Sequence, residues 1–121
     1  MHMQNIELNF LMLVFQKEAG NFEIKGHLIL NDDEEEQILN ILKEYSTAPT
    51  DETKFYFDVH YLNGEKSEQF IVKIYDILKI VPNSHFFWKY QAEDLGGQEL
   101  GLDLIEELDI PFEMVEVKSS G

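Results

Sequence analysis

The segment Tyr61-Leu62-Asn63-Gly64-Glu65-Lys66-Ser67-Glu68-Gln69 sets a single aliphatic hydroxyl, Ser67, among charged side chains. Its neighbours predict a passage from the end of a strand into a helix. Such a passage exposes backbone N–H groups that favour an anion, and parallel-sheet proteins place functional loops there. Ser67 therefore has two readings. As a helix N-cap it contributes about 1 kcal/mol. As a functional residue it is the hydroxyl of a loop whose free N–H groups favour an anion. Asn63, Gly64, Glu65, Lys66 and Ser67, with Lys73 on the following helix, form the candidate partner-binding surface.

Other chemistries find less support. The run Asp32-Asp33-Glu34-Glu35-Glu36 suits the first turn of a helix. His2, His27, His60 and His85 fall on different predicted elements without metal-ligand spacing, so no metal is expected. Asp58, His60 and Glu99 could make an acid–base pocket, but no nucleophile or oxyanion arrangement accompanies them. Gly96-Gly97 and Gly101 have the wrong spacing for a dinucleotide fingerprint and read as turn and packing residues. No phosphate-binding glycine loop or nucleophile elbow is present, and no cofactor is expected. The aromatic residues Phe55, Tyr56, Phe57, Tyr61, Phe86, Phe87, Trp88 and Tyr90 read as core.

Composition narrows the classes further. The 121 residues carry 24 acidic and nine basic side chains, a formal net charge of −15, and no cysteine. Disulfides, thiolate metal sites and thiol nucleophiles are excluded, and a reducing cytoplasm is the natural compartment. All nine basic residues are lysine, so nucleic acid is a poor partner. No basic leader opens the sequence and no apolar run is long enough for a bilayer, so no membrane is expected. The negative charge predicts a monomer or weak homodimer.

The elements that must position Ser67 follow from periodicity. Residues 8–15 and 21–30 are β-prone runs joined by Gln16-Lys17-Glu18-Ala19-Gly20, an antiparallel hairpin. Phe22, Ile24, Gly26 and Leu28 alternate with Glu23, Lys25 and His27, which predicts one wet face. Asn31 or Asp32 caps a helix with Ile38, Leu39, Ile41, Leu42 and Tyr45 on one stripe. An aromatic strand follows over 55–61, then a helix from about Ser67 that stops before Pro82. The apolar run 85–90 reads as a central strand covered on both faces. A third helix over 98–108 and a last strand over 112–117 complete the chain, with 118–121 as a loose tail. The order ββαβαβαβ predicts one α/β domain over 1–121, with a mixed, mostly parallel sheet of about five strands and about three helices. Phosphorylation-switched STAS regulators, including the anti-sigma-factor antagonists, share this order.

Three stretches carry a closer resemblance. Residues 15–26, Phe15-Gln16-Lys17-Glu18-Ala19-Gly20-Asn21-Phe22-Glu23-Ile24-Lys25-Gly26, resemble the opening hairpin of the SiaC family of bacterial regulatory phosphoproteins. Phe57-Asp58-Val59-His60-Tyr61-Leu62-Asn63 is similar to that family's aromatic strand before its regulatory helix. Phe87-Trp88-Lys89-Tyr90, Glu93-Asp94, Glu99-x-Gly101-x-Asp103 and Ile110-Pro111-Phe112 follow its most specific pattern. The resemblance implies a STAS-like switch without catalytic activity. It also implies a partner kinase, a partner phosphatase, and a diguanylate cyclase bound and activated by the unmodified form. The family's loop carries an acceptor threonine after the asparagine, whereas Gly64 follows Asn63 here. The resemblance implies that the role passes to Ser67, where a phosphate would add nearly two negative charges beside Glu65 and Glu68, held by the helix amides and Lys66, and displace a partner seated on the loop; or Glu65 stands in for a permanent phosphate, or the switch is lost and the domain binds constitutively. The family's Ser-Pro-Glu-Asn segment is replaced by Leu28-Ile29-Leu30-Asn31.

Overall fold

The computed structural model describes residues 3–118; His2 and 119–121 of the expected tail lie outside the described residues. Six strands form one sheet in which spatial order equals chain order: β1 (Gln4–Glu7), β2 (Leu11–Gln16), β3 (Asn21–Leu28), β4 (Thr53–Leu62), β5 (Ser84–Gln91) and β6 (Phe112–Val117). β2 is antiparallel to both β1 and β3, and β3 to β6 are parallel. Three helices, α1 (Asp32–Ser46), α2 (Gly64–Leu78) and α3 (Leu95–Leu108), make the crossovers. β1 is one strand beyond the expected five. Its sequence is polar and only Ile6 is half-buried, because an edge strand needs backbone pairing more than an apolar run.

Each crossover advances one strand in the same direction, so crossovers of one hand place all three helices on one face. Burial agrees. Leu13, Phe15, Phe22, Ile24, Phe55, Phe57, Phe86 and Trp88 are buried, while their strand neighbours Val14, Glu23, Tyr56 and Phe87 are only partly covered. This corrects the expectation for β5, which lies next to the β6 edge and has a single covered face. The aromatic cluster divides accordingly. Tyr56 and Phe87 stack at 4.6 Å on the open face, and Tyr61 is exposed. Across that face Lys89 Nζ donates to Glu23 Oε2 at 2.7 Å and lies 5.2 Å from the centre of the Tyr56 ring.

The hairpin between β2 and β3 turns through a single 3₁₀ turn, Lys17–Ala19, and ends on Gly20 at φ 67°, which a side chain would strain. Asn31 caps α1 in a reciprocal box: its side chain accepts from the Glu34 N–H at 2.8 Å, and Glu34 accepts from the Asn31 N–H at 3.0 Å. Both later helices begin three residues before the expected positions. α3 starts at Leu95 because Asp94 caps it by accepting from the Gly97 N–H at 2.9 Å, which places Gly96 and Gly97 inside its first turn. Gly101 packs as expected. A methyl group there would sit 2.7 Å from the Trp88 indole nitrogen and 2.8 Å from Met114 Cε. Trp88 is fully buried, and its Nε1 donates to the Gly97 carbonyl at 3.1 Å. No helix among the described residues is long and apolar enough to cross a membrane.

Candidate functional site at the start of α2

The C-terminal ends of β3 and β4 and the N-termini of α1 and α2 meet at one corner of the sheet. Asn63 is the N-cap residue of α2, although its side chain makes no capping bond. Gly64 follows at φ 58°, and a side chain there would meet no atom within 4 Å. Asn63, Gly64, Glu65 and Lys66 are exposed. Lys66 lies 3.5 Å from the Asp32 carboxylate on α1.

Ser67 occupies the fourth helical position, which corrects its reading as the N-cap. It is 3% exposed. Its hydroxyl donates to the Leu28 carbonyl at 2.8 Å and accepts from the Asn63 N–H at 2.6 Å. One oxygen thus ties the end of β3, the end of the β4–α2 connection and the helix together. A cavity of about 10 Å³, the space of about one water, lies beside it and is bounded by Glu35, Asn63 and Lys66 among others.

Lys73 is exposed, as its place in the sequence predicted, and its ammonium donates to Glu35 Oε1 at 2.9 Å. Glu35 is buried against α2 with its side chain 11% exposed. The helical stripe of Ile38, Leu39 and Leu42 extends back to Glu35, three, four and seven residues earlier, but nothing local names Lys73 on α2 as its partner. The buried carboxylate needs its cation, so the pair fixes how the two helices meet. Nearby, the N–H groups of Asn31 and then Asn9 hold the Glu34 carboxyl below the usual carboxylate range. Glu68 is pushed the other way, by burial first and by the charge of Glu107 on α3 second.

The other candidate residues are kept apart. Asp58 and His60 approach to 3.7 Å on the open sheet face, whereas Glu99 lies on α3 on the covered side, so no acid–base pocket forms. His27 contacts the Tyr61 ring and His85 lies 3.7 Å from Glu52. Among the described residues no group of three or more histidine or carboxylate side chains could hold a metal ion.

Three solved structures share the fold. SiaC of Pseudomonas aeruginosa superposes with a TM-score of 0.74 at 16% identity, over 98% of this chain and 100% of that one. Its apo form gives 0.73 at 15% identity, over 96% of this chain and 98% of that one. SiaC bound to the diguanylate cyclase SiaD, of which it is the activator, gives 0.71 at 14% identity, over 94% of this chain and 99% of that one. No curated protein matches the chain. The family model described as "SiaC family regulatory phosphoprotein" matches residues 12–117, from the first residues of β2 to the end of β6. With the hairpin, the aromatic strand and the α3 pattern all inside that span, the chain belongs to the SiaC family of regulatory phosphoproteins.

Proposed function

We propose that this chain is a cytoplasmic regulator that works by contact: in its unmodified state it binds and activates a diguanylate cyclase through the corner at the start of α2. The family match over residues 12–117 carries this reading, and the complex of the P. aeruginosa relative with its cyclase supports the choice of partner. The contact residues are Asn63, Gly64, Glu65, Lys66 and Lys73, with Ser67 as the hydroxyl on which a partner kinase and phosphatase act.

Burial defines how such a switch must work. The Ser67 hydroxyl reaches a kinase only when the first turn of α2 lifts off the Leu28 carbonyl. A phosphate cannot then return to a place that is 3% exposed, because burying an unpaired double charge costs many times the two hydrogen bonds lost. The modified corner stays displaced, and the partner loses its seat.

A second reading is a constitutive binding domain without the switch, and the full engagement of the Ser67 hydroxyl in the closed corner favours it. Intact mass and peptide mapping of the protein from its native host separate the two, with Ser67→Ala as control. Phosphate on Ser67, and cyclase stimulation lost on phosphorylation, establish the switch. Cyclase stimulation by a protein unmodified under all growth conditions establishes the constitutive domain. Failure of a corner variant such as Lys66→Glu with Lys73→Glu to weaken cyclase binding overturns the assignment of the surface.

A further inference from the structure

We infer that the outer face of α3 is a docking surface for a lysine- or arginine-bearing amphipathic helix of a partner protein. Leu95 and Leu102 are 68% and 48% exposed. They stand seven residues apart, about two helical turns, and so share one stripe. The opposite stripe, centred on Gly101 and Leu104, is buried against the sheet. Glu99, Asp103 and Glu106 lie exposed beside the two leucines and, among the described residues, form no ion pair.

The charge along this part of the chain has one sign. Residues 90–117 contain nine carboxylates and no lysine, arginine or histidine. The acidic run that opens α1 is built differently: Asp32 meets Lys66, Glu34 completes the capping box, and Glu35 holds Lys73. The chain neutralises carboxylates where they serve its own fold, and on α3 it leaves them open around two apolar anchors.

Charge also selects the occupant. A second copy of this chain would set carboxylates against carboxylates, and an anionic lipid or nucleic acid surface would be repelled. A helix with apolar residues at a seven-residue spacing, flanked by cations, matches both the leucines and the acids. This surface is separate from the α2 corner and does not depend on the phosphorylation reading.

The test uses the ¹⁵N-labelled full chain, titrated at low salt with a helical peptide that carries leucines at that spacing flanked by lysines. A version with glutamate in place of the lysines is the control probe. Amide shifts should concentrate on α3 with the lysine peptide and be absent with the glutamate one. Leu95→Ser with Leu102→Ser should weaken binding about tenfold or more, as removal of central apolar anchors does. Glu99→Lys with Asp103→Lys and Glu106→Lys should abolish it. Both variants should keep the native Trp88 emission, because all five positions are exposed. Shifts of equal size on residues 32–36, insensitive to the leucines, would reduce the effect to general attraction between opposite charges and overturn the proposal. So would an absence of shifts, shifts centred on residues 63–73, or concentration-dependent self-association abolished by the leucine variant.

Discussion

Removing one oxygen atom, by Ser67→Ala, is expected to loosen the corner while leaving the rest of the domain folded. The loss has two parts. The Leu28 carbonyl is left without its donor in a buried place, at about 1–2 kcal/mol, while the Asn63 N–H, on an exposed residue, turns to water at little cost. Alanine is the better helix former by about 0.5 kcal/mol, which offsets part of this. The net loss is about 1 kcal/mol. With a urea slope of about 1.5 kcal/mol per molar, the midpoint should fall by roughly 0.7 M. Trp88, the single tryptophan and fully buried, reports the global transition by its fluorescence. Amide exchange locates the effect: the Asn63 N–H should lose its protection about tenfold or more, while N–H groups in the middle of β4 slow or quicken only with global stability. Ser67→Asp should cost more, about 3 kcal/mol, because it places a carboxylate in a buried site beside Glu35. An unchanged midpoint together with an unchanged Asn63 exchange rate would refute the view that this hydroxyl ties strand to helix. It would also remove the reason for treating modification of Ser67 as a structural event.

Gly101→Ala sets two effects against each other: overlap with the Trp88 indole and Met114 costs about 1–3 kcal/mol, and the better helix former returns about 1. A net loss of about 1 kcal/mol with a shifted Trp88 emission is expected, and a gain in the urea midpoint would contradict the packing. Asn31→Ala breaks the capping box of α1 and should lower the thermal midpoint by about 4 °C, the equivalent of about 1 kcal/mol, read by circular dichroism. Glu34 has its folded-state pKa lowered by the N–H groups of Asn31 and Asn9. Its contribution is therefore present above the unfolded-state pKa and lost as pH falls through the folded one. Glu34→Gln should flatten that acid limb in a pH series of urea midpoints. Glu68 has the opposite sign. Its pKa is raised by burial and Glu107, so the ionised form is a cost at neutral pH that disappears on acidification. Glu68→Gln should raise stability at pH 7 and give no gain below about pH 4.

Much of this architecture is written in local patterns, and the failures have local causes. The alternation of Phe22, Ile24 and Leu28, and of Phe55, Phe57 and Val59, is strong because one face of the sheet is covered and the other is not. β1 escaped because Gln4-Asn5-Ile6-Glu7 has no such alternation: its place is decided by the free edge of β2, a tertiary fact. Glycine misled twice. Gly64 and Gly96-Gly97 look like breakers, yet each lies in the first turn of a helix, where the N–H groups have no intrahelical partner and flexibility costs less. That three-residue error moved Ser67 from an apparent cap to a buried position in the helix. β5 looked doubly covered because Phe87 is as apolar as Phe86, but Phe87 finds its partner in the stacked ring of Tyr56 on the open face. The exposed corner at residues 63–66 was legible as a connection at the right end of a strand. The Glu35–Lys73 link was not, since it joins side chains 38 residues apart.

The match between spatial order and chain order bears on how the domain is made. During synthesis each strand emerges when its only upstream neighbour in the sheet is already available, so no strand has to wait for one much later in the chain or force its way between two that have already paired. The corner around Ser67 can close once α2 has left the ribosome, before β5, α3 or β6 exists, because its ties run only to Leu28 and Asn63. The acidic C-terminal third comes last, and it adds a charged outer layer to a sheet whose first four strands are already in register.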